Sequence, residues 1–389
     1  MTTPISMNDT AIAFQSKSNS ELKKAHLLFR AMGLNWLVNM GPSLLKIAFT
    51  LRIPVTGIIK KTIFAQFCGG ENINECGKAI EVLNKYHIGT ILDYSVEGEG
   101  NDESYEHTTN ETIATIIRAK GNAAIPFSVF KVTGVFPHDL LQAYTENKPY
   151  NPQEFEKAAA RVDLICKTAH DNHVRIFIDA EESWIQNAID HLAETMMQRY
   201  NKDTAIVYNT LQLYRHDRLD YLGKLHAMSV EYNIYMGVKL VRGAYMEKER
   251  LRAQQNNYPS PIQPDKESSD RDYDESLKFC VNHISNTFIC AGTHNEQSSM
   301  LLVDLMTANN IAANDERVYF SQLLGVSDHI SFNLAAAGYR VAKYVPYGPV
   351  KSVIPYLIRR AQENTSAKGQ AGRELQLIEK ELKRRKIAK

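Results

Sequence analysis

Eight short β-rich runs, most of them separated by segments of helical periodicity, constrain this chain more than any other feature. The runs cover residues 90–96, 125–133, 174–179, 204–211, 234–241, 287–291, 318–323 and 339–345. Helix-patterned segments at 109–120, 152–172, 183–200, 213–233, 273–285, 298–308 and 327–337 lie between them. Regular alternation of this kind predicts a parallel β/α fold, and eight repeats favour closure into a barrel. No G-x-G-x-x-G follows any of the strands, so an open dinucleotide-binding sheet lacks its phosphate fingerprint. At 389 residues the chain is long enough for one large α/β barrel with additions.

The additions lie at both ends. Residues 1–70 read as an α-helical N-terminal arm. It is polar to about residue 18, then carries a helix through Leu22, Ala25, Phe29, Met32 and Trp36, and a second apolar stretch over 44–67 broken by Pro54 and Gly57. Residues 71–366 form the predicted barrel, and 367–389 a basic amphipathic helix with Leu375, Leu377, Ile378 and Leu382 opposed to Lys383–Lys386. Two connections are long for a barrel: 97–110, rich in acids including Glu97 and Glu99, and 252–272, rich in Gln, Asn, Ser, Pro and Asp. Both leave the end of the barrel where active sites and lids sit.

Composition excludes several classes of function. A formal net charge of +1, with no basic stripe, gives no pull toward nucleic acid. Five scattered cysteines with no C-x-x-C, and twelve histidines with no H-E-x-x-H, argue for a reducing compartment and against disulfides or a metal site. No apolar run reaches about 18 residues, so a spanning helix is not expected. The N-terminus has the pattern of neither a signal nor a transit peptide. The expectation is a bacterial cytoplasmic protein with room for peripheral contact at the inner membrane, or one on the matrix side of a mitochondrion if the source is eukaryotic.

Polar residues gather where strands end. Lys131 closes the second run, Asp179-Ala-Glu-Glu182 the third, and Gln212 follows the fourth. Lys239-Leu-Val-Arg-Gly-Ala-Tyr245 closes the fifth, Thr293-His-Asn295 the sixth, Gln322 the seventh and Tyr344 the eighth. A charge in an apolar strand is costly unless paired, and a structural Lys131–Asp179 pair is one explanation. Seven polar strand ends at one face of a barrel favour a ligand site instead. Beyond the last strand, a turn with Pro349 in its first helical turn leads into a helix. Val350, Val353, Ile354, Leu357, Ile358 and Ala361 form its apolar face; Ser352, Tyr356, Arg359 and Glu363 lie opposite, with Arg360 alongside. Taken alone, Arg359, Arg360 and Glu363 read as a solvated salt-bridge cluster before they read as a preorganised carboxylate fork; the strand ends reverse that order.

Lys131, Arg359 and Arg360 suit a small carboxylate. Arg242-Gly243 and Thr293–Asn295 suit a pyrophosphate or sugar, Gln212 and Lys239 a heterocycle, and Leu323, Leu324, Tyr245 and Tyr344 an apolar wall. With no activated serine or cysteine in view, the chemistry points to a cofactor.

These residues resemble the proline dehydrogenase family. The resemblance rests on Phe130-Lys-Val-Thr133, Ile178-Asp-Ala-Glu-Glu182, Thr210-Leu-Gln-Leu-Tyr214, Lys239–Tyr245, Gly292-Thr-His-Asn295, Gln322-Leu-Leu-Gly325, Tyr344-Val-Pro-Tyr-Gly348 and Arg359-Arg-Ala-Gln-Glu-Asn364, in the family's order. The spelling is closer to the stand-alone, mitochondrial-type members than to the bifunctional bacterial fusion. The likeness implies a distorted (βα)8 barrel with FAD across the C-terminal ends of its strands. It implies that Arg359, Arg360 and Lys131 grip the proline carboxylate, that Glu363 orients the arginines, and that Asp179 pairs with Lys131. Tyr344, Leu323 and Tyr245 would pack on the ring. Gln212, Lys239, Val241, Gly243, Ala244, Thr293, His294 and Asn295 would hold the flavin, and Glu97 and Glu99 compete for the acidic gate. Lysine at 239 departs from the arginine of many bacterial members, which puts its contact with the flavin in question.

The implied reaction is FAD-dependent oxidation of L-proline to Δ1-pyrroline-5-carboxylate, with electrons passing to a quinone. The rival within the family is a trans-4-hydroxyproline dehydrogenase, disfavoured by the bulk of Tyr344. Outside it stand a flavin-free Schiff-base lyase using Lys131 or Lys239 and a non-catalytic carboxylate-binding barrel. The basic C-terminal helix either touches an anionic membrane or docks on its own chain. Oligomeric state is not legible in the sequence.

Overall fold

The computed structural model describes residues 5–34, 54–96, 100–366 and 370–387. Its strands are β1 (Ile88–Tyr94), β2 (Phe127–Lys131), β3 (Arg175–Asp179), β4 (Val207–Gln212), β5 (Met236–Val241), β6 (Thr287–Gly292), β7 (Val318–Leu323) and β8 (Val341–Tyr347). They form a closed barrel in sequence order, as the alternation predicts. β4 and β8 are buried along their whole length, the pattern of a parallel sheet covered on both faces. The chain divides into two compact units, Gly98–Ser321 and the remainder, Met1–Glu97 with Gln322–Lys389.

In the unit Gly98–Ser321, β2 to β7 pair in parallel, and the register sets Lys131 of β2 beside Asp179 of β3. Aromatic rings fill the sheet: Phe127 stacks on Phe177 at 4.4 Å between centroids, and Tyr208 meets both edge-on. Helix starts follow their caps. Asn151 caps Pro152–Asp171, with proline at its first position, and Asp265 caps Lys266–Asn282 by accepting from the Ser268 N–H at 2.7 Å.

Two expectations change here. The long connection over 252–272 is largely helical, because Met246–Asn256 and Lys266–Asn282 occupy most of it. The first long connection is helical from Asp102, capped by Asn101; Glu97 and Glu99 lie outside the described residues.

In the other unit, β1 pairs with β8. The N-terminal helix Asn19–Met32 starts at a capping box between Ser18 and Glu21. Leu22, Phe29, Phe64, Phe67, Val350, Val353, Leu357, Leu377, Ile378 and Leu382 share one apolar cluster. The apolar face of the C-terminal helix Gln370–Arg384 is therefore consumed within its own chain. Its basic end is anchored too: Arg385 donates to the carbonyls of Phe14 and Lys17, each at 2.8 Å. Of the sequence-expected first helix, Trp36 lies outside the described residues, as does much of the stretch that follows it.

The segment after β8 is also corrected. Pro349 accepts turn hydrogen bonds from Ser352 and Val353, and the helix proper is Ile354–Ser366. Tyr356, expected on the polar face, is 7% exposed and belongs to the apolar cluster. The rest of the expected apolar face packs as read: Val350, Val353 and Leu357 are buried in that cluster, with Ile354 and Ala361 against it.

Lys343 of β8 is fully buried. Its ammonium donates to the Val326 carbonyl at 2.5 Å and the Leu323 carbonyl at 3.2 Å, and pairs with Asp328 at 2.9 Å. This knot ties the end of β7 to β8 and so places Leu323 and Tyr344 relative to each other.

Candidate active site

In the unit Gly98–Ser321 the candidate residues stand at the C-terminal ends of β2 to β6. Lys131 ends β2, Asp179 ends β3, Gln212 ends β4 and Val241 ends β5; Gly243, Ala244 and Tyr245 follow β5, and Thr293, His294 and Asn295 follow β6. Lys239 is 4% exposed and pairs with Asp179, its ammonium also 5.1 Å from the Phe177 ring centre. The pairing implied by the resemblance, Asp179 with Lys131, is thus replaced by Asp179 with Lys239. The physical reason is burial: an ammonium so far from water needs an anion, whereas Lys131 is half-buried and keeps access to solvent. Among the described residues no ion pair or hydrogen bond engages the Lys131 ammonium.

A second group forms around Arg242. Its guanidinium donates to Asp270 at 2.5 Å, to the Thr293 hydroxyl at 2.7 Å and to the Ser298 hydroxyl at 2.9 Å, and lies 4.4 Å over the Tyr273 ring. Asn295 caps the helix Glu296–Ala308 by accepting from the N–H groups of Gln297 and Ser298. A half-buried guanidinium beside a helix N-terminus is a favourable setting for a phosphate. Gln212, 3% exposed, donates to the Glu181 carbonyl at 2.7 Å and accepts from the Ala244 N–H at 3.3 Å, joining the ends of β3 and β4 to the loop after β5.

Gly243 has φ +139°, and a Cβ there would stand 2.4 Å from atoms of the Tyr214 ring. Ring and backbone conformation both exclude a side chain. Gly243→Ala is expected to destabilise the protein by roughly 1–3 kcal/mol, measured by denaturant unfolding; a midpoint equal to wild type would mean the loop has room to rearrange.

The other unit holds the remaining candidates. Leu323 ends β7, and Tyr344 in β8 is 8% exposed and accepts from the Leu324 N–H at 2.8 Å. Arg359 and Arg360 are half-buried on Ile354–Ser366, with the Arg360 guanidinium 5.2 Å from the Tyr356 ring centre. The Glu363 side chain lies outside the described residues.

Nucleophilic cysteine chemistry finds no support. All five thiols are buried, and burial pushes even Cys290, at the barrel interior, up to about 11. Sequence reasoning named Glu181 and Thr133 only as parts of motifs. The structure joins them: Thr133 donates to Glu181 through its N–H at 3.0 Å and its hydroxyl at 2.5 Å. The signal available was a second acid, directly after Asp179-Ala, in a strand-end motif that needed only one.

The pattern of the proline dehydrogenase family matches residues 76–373. Proline dehydrogenase 1, mitochondrial, of Dictyostelium discoideum is 32% identical over 97% of this chain and 74% of its own length. The hydroxyproline dehydrogenase of Xenopus laevis is 30% identical over 98% of this chain and 90% of its own. Among solved structures, proline utilization A from Bdellovibrio bacteriovorus, inactivated by N-propargylglycine, superposes with a TM-score of 0.74 at 18% identity. The match covers 94% of this chain but only 40% of that larger one, so the likeness speaks for the barrel alone. Motif order, barrel and relatives agree: the chain belongs to the proline dehydrogenase family.

Proposed function

We propose that this chain oxidises L-proline to Δ1-pyrroline-5-carboxylate with FAD as its cofactor and a quinone as the final acceptor. One observation carries the reading: the half-buried Lys131, unengaged among the described residues, ends the strand next to the buried Lys239–Asp179 pair, with no activated nucleophile at hand. A strand-end cation with no ion pair or hydrogen bond among the described residues is what a substrate carboxylate needs. Lys239, held by Asp179 and out of water, is poorly placed to act as a Schiff-base amine.

The donor set fits FAD. Arg242, Thr293, His294, Asn295 and the N-terminus of Glu296–Ala308 suit its pyrophosphate, and Gln212, Lys239, Val241, Gly243 and Ala244 suit its ring. When bound, FAD would supply the acceptor for the hydride equivalent lost from substrate C5, a proton leaving the nitrogen as the C5–N single bond becomes a double bond. The chain's own part is binding and orientation. Lys131, Arg359 and Arg360 hold the carboxylate, Glu363 orients the arginines, and Tyr245, Leu323 and Tyr344 confine the ring so that C5 has one direction to face. Asp179 holds Lys239 in place. No helix among the described residues is long and apolar enough to cross a membrane, and the C-terminal helix buries its apolar face in the chain, so contact with a quinone-bearing membrane would fall to other surfaces.

The test is spectroscopic. The purified protein should carry the visible absorbance of oxidised flavin, and anaerobic L-proline should bleach it. Faster bleaching by trans-4-hydroxyproline would move the assignment to the substrate of the Xenopus relative. A protein that takes up no FAD would overturn the reading.

A further inference from the structure

Glu181 is 4% exposed and has no part in the reading above. Both bonds from Thr133 converge on its carboxylate, and Thr133 stands in the short turn Val132–Gly134 directly after Lys131. Its main chain is tied as firmly, with the N–H donating to Gln186 at 2.9 Å and the carbonyl accepting from Gln212. Through Gln212 the link continues to the Ala244 N–H. One residue therefore joins the turn that carries Lys131 to the ends of β3 and β4 and the loop after β5.

A neutral side chain would serve that architecture as well, so the charge calls for a separate reason. Three ionisable groups face or flank Glu181: Lys131 at the end of β2, its neighbour Glu182, and Lys248 of Met246–Asn256, which pairs with Glu182. Gln186 and Gln212 are neutral. Burial raises the Glu181 carboxyl to about 7, while Thr133 and Lys131 pull it down and Glu182 adds to the rise. Its charge is thus lost and gained across the neutral range.

Resting on the role of Lys131 argued above, we propose that Glu181 is a positioning residue for the substrate carboxylate: it fixes the turn carrying Lys131, and its own negative charge competes with that of the substrate for the same ammonium. Substrate binding then favours the protonated form of Glu181, and a proton is taken up from water as the carboxylate arrives. Affinity is highest below the transition, where Lys131 faces the substrate alone, and falls above it.

The experiment is the pH profile of KM and kcat for L-proline in the wild type, Glu181→Gln and Thr133→Val, from about pH 5.5 to about pH 8.5. In the wild type KM should rise roughly tenfold across a midpoint near pH 7, and the midpoint should be absent from kcat. Glu181→Gln should give a flat KM. Thr133→Val removes a hydroxyl bond that stabilises the carboxylate, so its midpoint should move to higher pH. A Glu181→Gln enzyme that keeps the wild-type midpoint, a Thr133→Val midpoint that stays or falls, or a midpoint confined to kcat would each overturn the proposal. If Glu181→Gln does not fold, Thr133→Val decides alone. Absence of any proline turnover in the wild type would instead overturn the proposed function itself.

Discussion

Replacing Arg359 by methionine should raise the KM for proline by about two orders of magnitude while the flavin stays bound. Each arginine of a carboxylate fork contributes charge-assisted hydrogen bonds, each worth about 1.5–3 kcal/mol. Losing one arginine should then cost roughly 2–4 kcal/mol of substrate binding, or about 30- to 1,000-fold. Methionine keeps the length and apolar stem of the side chain, so the helix Ile354–Ser366 should still dock through Tyr356 and Leu357. Arg360→Met should behave similarly but lose some stability as well, because that guanidinium lies over the buried ring of Tyr356. Steady-state kinetics together with the flavin-to-protein absorbance ratio read both effects. A KM within about threefold of wild type would mean the arginines are a solvated ion-pair cluster.

The largest loss of stability is expected at Asp328→Ala. Lys343 has no exposure, and Asp328 is its anionic partner. Removing one member of a buried pair leaves the other charged and unpaired in a poor solvent, at about 3–5 kcal/mol. Lys343→Met added to Asp328→Ala should recover a large part of that loss, since a buried methionine needs no counterion. Denaturant unfolding of both variants checks this, and a double variant no more stable than the single would refute it.

The pH dependence of this pair has a defined sign. Burial pushes the Asp328 carboxyl up, but Lys343 and Lys17 outweigh it and hold it at about 2, below the ordinary 3.8. For Lys343 burial wins and its ammonium is pulled down despite Asp328. The carboxylate titrates in the accessible acid range. Its contribution, roughly 2 kcal/mol, is present above about pH 4 and lost as pH falls through about 2. Asp328→Ala should remove that part of the acid limb.

The barrel was legible in sequence because strand and helix periodicities differ, and eight repeats leave little choice of closure. Lys131 and Asp179 close their strands in the structure as in the sequence, whereas β7 runs one residue past Gln322 and β8 three residues past Tyr344. Helices outside that rhythm were harder. The last turn of Met246–Asn256 falls in the stretch expected to be a loop from residue 252, because that helix is strongly polar, with only Glu249 and Ala253 buried, and carries little apolar stripe to count.

Sequence by itself determined the barrel, the order of its polar strand ends and the family, because each depends on residue identity and spacing along the chain. Only the tertiary structure decided which charges meet. Lys131 and Lys239 are both lysines in strand motifs, and neither composition nor spacing says which one takes Asp179. That choice turns on desolvation: Lys239 is deep enough to need the carboxylate, while Lys131 is wet enough to do without it. The same holds for Glu181, an ordinary acid in a motif until burial moves its ionisation into the neutral range.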